Sequence, residues 1–92
     1  GVMTRQLTHQ LSEYISHSVS IQGWLHKKRL LGGLTFLTIR DRSGVAQIKL
    51  ENKDEVEKLR GLQIGTVFSV DGTVVADERA PGGVEIHDAV LT

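Results

Sequence analysis

The stretch Ile21–Leu50, IQGWLHKKRLLGGLTFLTIRDRSGVAQIKL, decides the fold of this chain. Its alternation predicts three β-strands, because successive side chains along a strand point to opposite sides. Leu37 and Ile39 fall on one face while Phe36, Thr38 and Arg40 fall on the other, so the aromatic ring sits with the polar set. In the next strand Ala46, Ile48 and Leu50 are the apolar positions and Val45, Gln47 and Lys49 oppose them. Asp41-Arg42-Ser43-Gly44 reads as a tight hairpin turn. Closing it sets Arg40 across from Val45, Thr38 across from Gln47 and Phe36 across from Lys49. A ring, a side-chain amide and several cations then share one exposed sheet face. Such a face suits a flexible nucleic-acid strand: rings stack on unpaired bases, amides bond base edges and cations hold phosphates.

Outward from this stretch, Leu7, Leu11 and Ile15 recur at four-residue spacing beside Tyr14, which predicts a short amphipathic helix over about residues 7–16. From Val19 the alternation puts Val19, Ile21, Gly23 and Leu25 on one face and Ser20, Gln22, Trp24 and His26 on the other. Gly23 marks a bend or a close backbone approach, and Trp24 reads as cover for a rim, with a second stacking platform as the alternative. Lys27 to Gly33 reads as the connection to the second strand, with Gly32 and Gly33 supplying flexibility or positive φ. Asn52 before Lys53-Asp54-Glu55 is a helix-capping arrangement. Val56, Leu59 and Leu62 supply the apolar side of a short helix ended by Gly61 or Gly65. Asp54, Glu55 and Glu57 read as its solvated surface rather than as acid–base groups.

Thr66 to Val75 predicts a fourth strand, with Phe68 among its core positions and a bend at Gly72. Asp77 to Gly83 is a loop by charge, proline and paired glycines. Val84 and Ile86 open a fifth strand with Glu85 and His87 opposite. Five strands, a short helix between the third and fourth and a short N-terminal helix describe an all-β, partly open Greek-key barrel, the OB-fold. One such domain is expected to occupy residues 1–92. In that architecture the face of strands two and three, with the 1–2 and 4–5 loops, binds oligonucleotides.

Composition narrows the function classes. Ninety-two residues support one modest core. No apolar run is long enough to span a bilayer and no leader pattern is present, so a cytoplasmic protein without membrane association is the expectation. The absence of cysteine excludes disulfides and thiolate metal sites. His9, His17, His26 and His87 lack a ligand spacing, so no metal site is expected. The net charge is zero, yet residues 1–49 hold seven Lys/Arg against two acidic residues and residues 50–92 hold four against nine. A positive half attracts phosphates locally even in a neutral molecule.

Against this background, several runs carry a resemblance. Gly23-Trp24-Leu25, Lys27-Lys28-Arg29, Gly33-Leu34-Thr35-Phe36, Arg40-Asp41-Arg42-Ser43-Gly44, Ala46-Gln47-Ile48 and Gly83-Val84-Glu85-Ile86 resemble the N-terminal anticodon-binding domain of class IIb aminoacyl-tRNA synthetases. The aspartyl enzymes are most similar. The resemblance implies that Phe36 stacks on the central anticodon base, a uridine, and that Gln47 bonds its edge. It implies that Arg29 contacts the anticodon loop backbone or first base and that Glu85 helps to read the anticodon. Lys28, Thr38 and Arg40 complete the expected RNA-binding set. Many relatives carry an aspartate after the arginine, where this chain has Leu30.

The implied partner is a tRNA anticodon loop, that of aspartate tRNA or also asparagine tRNA, and the implied parent enzyme is a homodimeric aspartate–tRNA ligase. No nucleotide-binding loop or nucleophile with its base is present, so no catalytic residue and no cofactor is expected here. ATP and magnesium would belong to a catalytic domain outside these residues. Two other readings stay open. A sequence-tolerant single-strand binder would bind unrelated oligonucleotides alike with steep salt dependence, and a protein-interaction or dimerisation domain would use Trp24, Leu30 and Leu31 as its patch.

Overall fold

The computed structural model describes residues 5–31 and 34–92. Five strands, β1 (Ser18–Leu31), β2 (Leu34–Asp41), β3 (Gly44–Leu50), β4 (Val67–Ala76) and β5 (Val84–Leu91), close a barrel in the order β1-β2-β3-β5-β4. Neighbours are antiparallel except β3 and β5, whose parallel pairing of Gln47 with Glu85 and Ile48 with Ile86 shuts the barrel expected to be partly open. Helix α1 (Lys53–Gly61) lies between β3 and β4, a 3₁₀ helix (Thr8–Tyr14) precedes β1, and a 3₁₀ turn (Pro81–Gly83) leads into β5. Leu25, Leu37, Ile39, Ile48, Val70, Val74 and Ile86 fill the interior with almost no exposure, joined by Phe68 as its sequence register requires. Among the described residues no helix is long and apolar enough to cross a membrane.

The N-terminal segment is 3₁₀ rather than α, and this changes which residues it buries. A repeat of three aligns Thr8, Leu11 and Tyr14. Thr8 and Leu11 are buried and Tyr14 packs on the core, whereas Ile15, expected inside, is 42% exposed. The segment is anchored by Asp41, the last residue of β2. Its carboxylate accepts Thr8 N–H at 2.8 Å, Thr8 Oγ1–H at 2.8 Å, Ser43 N–H at 2.8 Å and Ser43 Oγ–H at 2.7 Å. Burial pushes the Asp41 carboxyl up, but these bonds from Ser43 and Thr8 outweigh it and hold the pKa below its usual value. The β2–β3 turn is thereby pinned, and with it the register between the two strands.

Strand β1 runs further than its pattern suggests. Lys27 to Leu31, expected in the connection, continues the strand and pairs with β2 as far as Leu31 opposite Leu34. The pairing slips between Leu25 and Lys27, a bulge that inserts His26 and reverses the parity beyond it. That reversal disguises the strand as a loop in the sequence. The expectation for Gly32 and Gly33 lies outside the described residues. Gly23 meets the Arg40 backbone so closely that a Cβ would fall on the Arg40 carbonyl oxygen and 2.9 Å from its carbon. In β5 a second irregularity, with Asp88 at φ 52°, moves the inward set from Val84 and Ile86 to Ala89 and Leu91.

Helix α1 starts as its sequence indicates: the Asn52 side chain accepts Asp54 N–H at 2.8 Å and Glu55 N–H at 3.3 Å. Glu55, expected in solvent, is instead buried to 7% exposure. It accepts Leu91 N–H at 2.7 Å and Lys58 Nζ–H at 2.8 Å, tying the helix to the end of β5. Burial raises its pKa, yet the bonds from Leu91 and Lys58 carry it below its ordinary value. A carboxylate satisfied by a strand-end amide is worth burying; an unpaired one would not be.

Candidate nucleic-acid interface

Residues directly opposite each other in paired strands share a face, so the register lays out the candidate surface row by row. One row runs Lys27, Thr38, Gln47 and Glu85 across β1, β2, β3 and β5. Beside it lies Arg29, Phe36 and Lys49, and on the other side Trp24, Arg40 and Val45. Phe36 is half-buried, outside the core, with Arg29 on one flank and Lys49 on the other. Gln47 points to the same face. The ring-and-amide arrangement read from strand parity is therefore the observed one.

The bulge at His26 decides which cations join that face. Past it, Lys27 and Arg29 align with Thr38 and Phe36, while Lys28 pairs with Leu37, an interior position. Lys28 Nζ donates instead to the Leu62 carbonyl at 2.6 Å and the Leu59 carbonyl at 3.3 Å, at the C-terminal end of α1. A cation there satisfies carbonyls the helix leaves open and complements its dipole. Of the expected RNA-binding residues, Phe36, Thr38, Arg40, Gln47, Arg29 and Glu85 come together. Lys28 does not, and Lys27, part of the same basic run but outside the expected set, takes its place on the face.

Electrostatically the face is open to an anion. Arg29, Arg40 and Lys27 are exposed and hold no ion pair among the described residues, while Lys49 pairs with the exposed Glu51 at 3.0 Å. An exposed pair of that kind contributes little and competes weakly with a phosphate. Glu85 is the one carboxylate of the rows and is almost fully buried, at 3% exposure. One of its oxygens accepts Gln47 Nε2–H at 2.5 Å and the other lies 2.7 Å from His87 Nε2. His87 is a further residue of the site that the sequence placed on this face without assigning it a part. Trp24 is 39% exposed at the edge, beside Arg40 and the exposed Val67.

Comparison with known proteins bears on the family of this fold. Residues 19–89 match the tRNA anticodon family, described as an OB-fold nucleic acid binding domain. The chain is similar to the aspartate–tRNA(Asp/Asn) ligase of Methanopyrus kandleri, 44% identical over 72 residues that cover 74% of this chain and 17% of that protein. It is also similar to the ligase of the same name from Saccharolobus solfataricus, 39% identical over 85 residues covering 87% of this chain and 20% of that protein. Among solved structures, the asparaginyl-tRNA synthetase of Pyrococcus horikoshii complexed with asparaginyl-adenylate superposes with a TM-score of 0.88 at 30% identity, over 99% of this chain and 22% of that one. The chain thus spans about a fifth of the length of the curated relatives it matches. With every residue of the three rows inside the matched segment, the chain belongs to the tRNA anticodon family of OB-fold nucleic acid binding domains.

Proposed function

We propose that this domain recognises the anticodon loop of a tRNA of the aspartate or asparagine type, with Phe36 as the stacking platform for an unpaired base and Gln47 as the reader of its edge. The carrying observation is the single face on which a half-buried ring, an amide and four cations meet, Lys27, Arg29, Arg40 and Lys49. Arg29 and Lys49 flank the ring and are placed to hold the phosphates on either side of a stacked nucleotide; Thr38 and Arg40 extend the track. The ligases that the chain is similar to support the choice of tRNA.

In the whole protein this domain would deliver its tRNA to a catalytic domain of an aspartate–tRNA ligase, which would supply the ATP and magnesium chemistry and the homodimer. The 92 residues themselves contribute recognition. Replacing Phe36 by alanine should weaken binding of an anticodon stem-loop by about 1–3 kcal/mol, the range for one base–aromatic stack. A fluorescence titration of a labelled stem-loop measures this, and an unchanged affinity would remove the platform from the proposal.

A further inference from the structure

Helix α1 is fastened at both ends by bonds between a side chain and a backbone. At one end it serves a strand. Thr92 exchanges both of its hydrogen bonds with Ser69 of β4, at 2.9 and 3.0 Å, so alternation turns the N–H and C=O of Leu91 away from β4. On that other side β3 has already parted from β5, the pairing between them being confined to Gln47 with Glu85 and Ile48 with Ile86. The helix stands in for the missing strand: Glu55 accepts Leu91 N–H at 2.7 Å, and Lys58 Nζ donates to the Leu91 carbonyl at 3.1 Å and to Glu55 at 2.8 Å. At the opposite end the roles reverse, and a strand serves the helix. Lys28 Nζ of β1 donates to the carbonyls of Leu59 and Leu62. Between the two clamps runs a single helix of nine residues, about 14 Å of stiff rod.

Lys28 sits between Lys27 and Arg29, the two β1 cations of the open face, and its own position pairs with the interior Leu37. We propose that α1 is a strap through which RNA held on Lys27 and Arg29 tightens the hold on the end of β5, with Lys28 as the positioning residue that links the two. Phosphates gripped by the side chains at 27 and 29 fix the β1 backbone around 28. The root of the Lys28 side chain then stops moving, and less freedom is left to lose when its ammonium settles on the helix carbonyls. Helix α1 consequently lifts less often, and so does the pair Glu55 and Lys58 from Leu91. The change is one of order and not of shape. Because the helix is already docked in the free domain, the coupling adds little to affinity; it shows in how rarely the Leu91 amide opens to water.

This inference rests on the reading of the cationic face given above, and the experiment keeps the two apart. Amide hydrogen exchange is followed by NMR in the free domain and in the domain saturated with an anticodon stem-loop, for the wild type, Lys28→Met and Lys28→Arg. The Leu91 amide reports the far clamp. The Val74 amide, bonded to the His17 carbonyl at 3.0 Å and outside both clamps, reports what binding does to the fold at large. In the wild type the slowing at Leu91 should exceed that at Val74 by roughly fivefold or more, the lower end of ordinary coupling between two sites. In Lys28→Met the two amides should slow alike although the stem-loop still binds. Lys28→Arg keeps a cation within reach of the carbonyls and should recover the excess.

Should the stem-loop fail to bind the wild-type domain, the reading of the face and this inference fall together. Should it bind while Leu91 and Val74 slow alike in the wild type, or should the excess at Leu91 survive in Lys28→Met or stay lost in Lys28→Arg, the inference alone is overturned.

Discussion

At the scale of single residues, two adjacent lysines are turned to opposite sides of the sheet by one inserted residue. Lys28→Met removes a cation from the carbonyls of Leu59 and Leu62 and should lower stability by about 1 kcal/mol, with stem-loop affinity near that of the wild type. Lys27→Met should do the reverse, leaving the thermal midpoint alone and weakening RNA binding. Paired melting and binding curves check both. Asp41 and Glu55 supply a pH signature. Each carboxyl has a folded pKa below its ordinary value, 3.8 and 4.5 respectively, because bonded donors outweigh burial. Such a group contributes stability that is fully present above the unfolded value and is lost as pH falls through the folded one. The melting deficit of Asp41→Asn and Glu55→Gln relative to wild type should therefore be largest at neutral pH. It should shrink once the pH drops beneath 4.5 and then 3.8, as measured by melts across a pH series.

At the scale of elements, strand parity carried the reading far in β2, β3 and β4 and failed where a strand was interrupted. Phe36, Thr38 and Gln47 could be placed from alternation because the Asp41 turn closes with no slip. Lys27 could not, because His26 is inserted in β1 and shifts everything after it. The pairing of Leu31 with Leu34 shows the correct count: from there back, Arg29 faces Phe36 and Lys27 faces Thr38. The β1–β2 crossing also makes a firm demand at Gly23. A Cβ there would strike the Arg40 backbone, which cannot retreat as a flexible side chain could. Gly23→Ala should cost at least about 1–3 kcal/mol, as overpacking does. Each kcal/mol lowers the melting midpoint of a domain this size by about 4–8 °C.

For the molecule as a whole, a net charge of zero combined with one cationic face predicts selective rather than indiscriminate binding. The affinity for a stem-loop should fall with salt at a logarithmic slope of about 0.7 per neutralised phosphate of an unpaired strand. Replacing Arg29 or Arg40 by methionine should reduce that slope by about the same amount, a quantity read from titrations at four or five salt concentrations. The sequence by itself determined the strand set, the helix start at Asn52, the burial of Phe68 and the side of the sheet on which Phe36 and Gln47 stand. These follow from local alternation and capping, which neighbouring residues settle among themselves. Tertiary structure alone decided that Lys27 and not Lys28 joins the face, that Glu55 is buried against the Leu91 amide, and that Glu85 lies between Gln47 and His87. Those outcomes depend on bulges and on partners distant along the chain. The distance from Gln47 to Glu85 is bridged by the parallel β3–β5 closure, a contact no local pattern encodes.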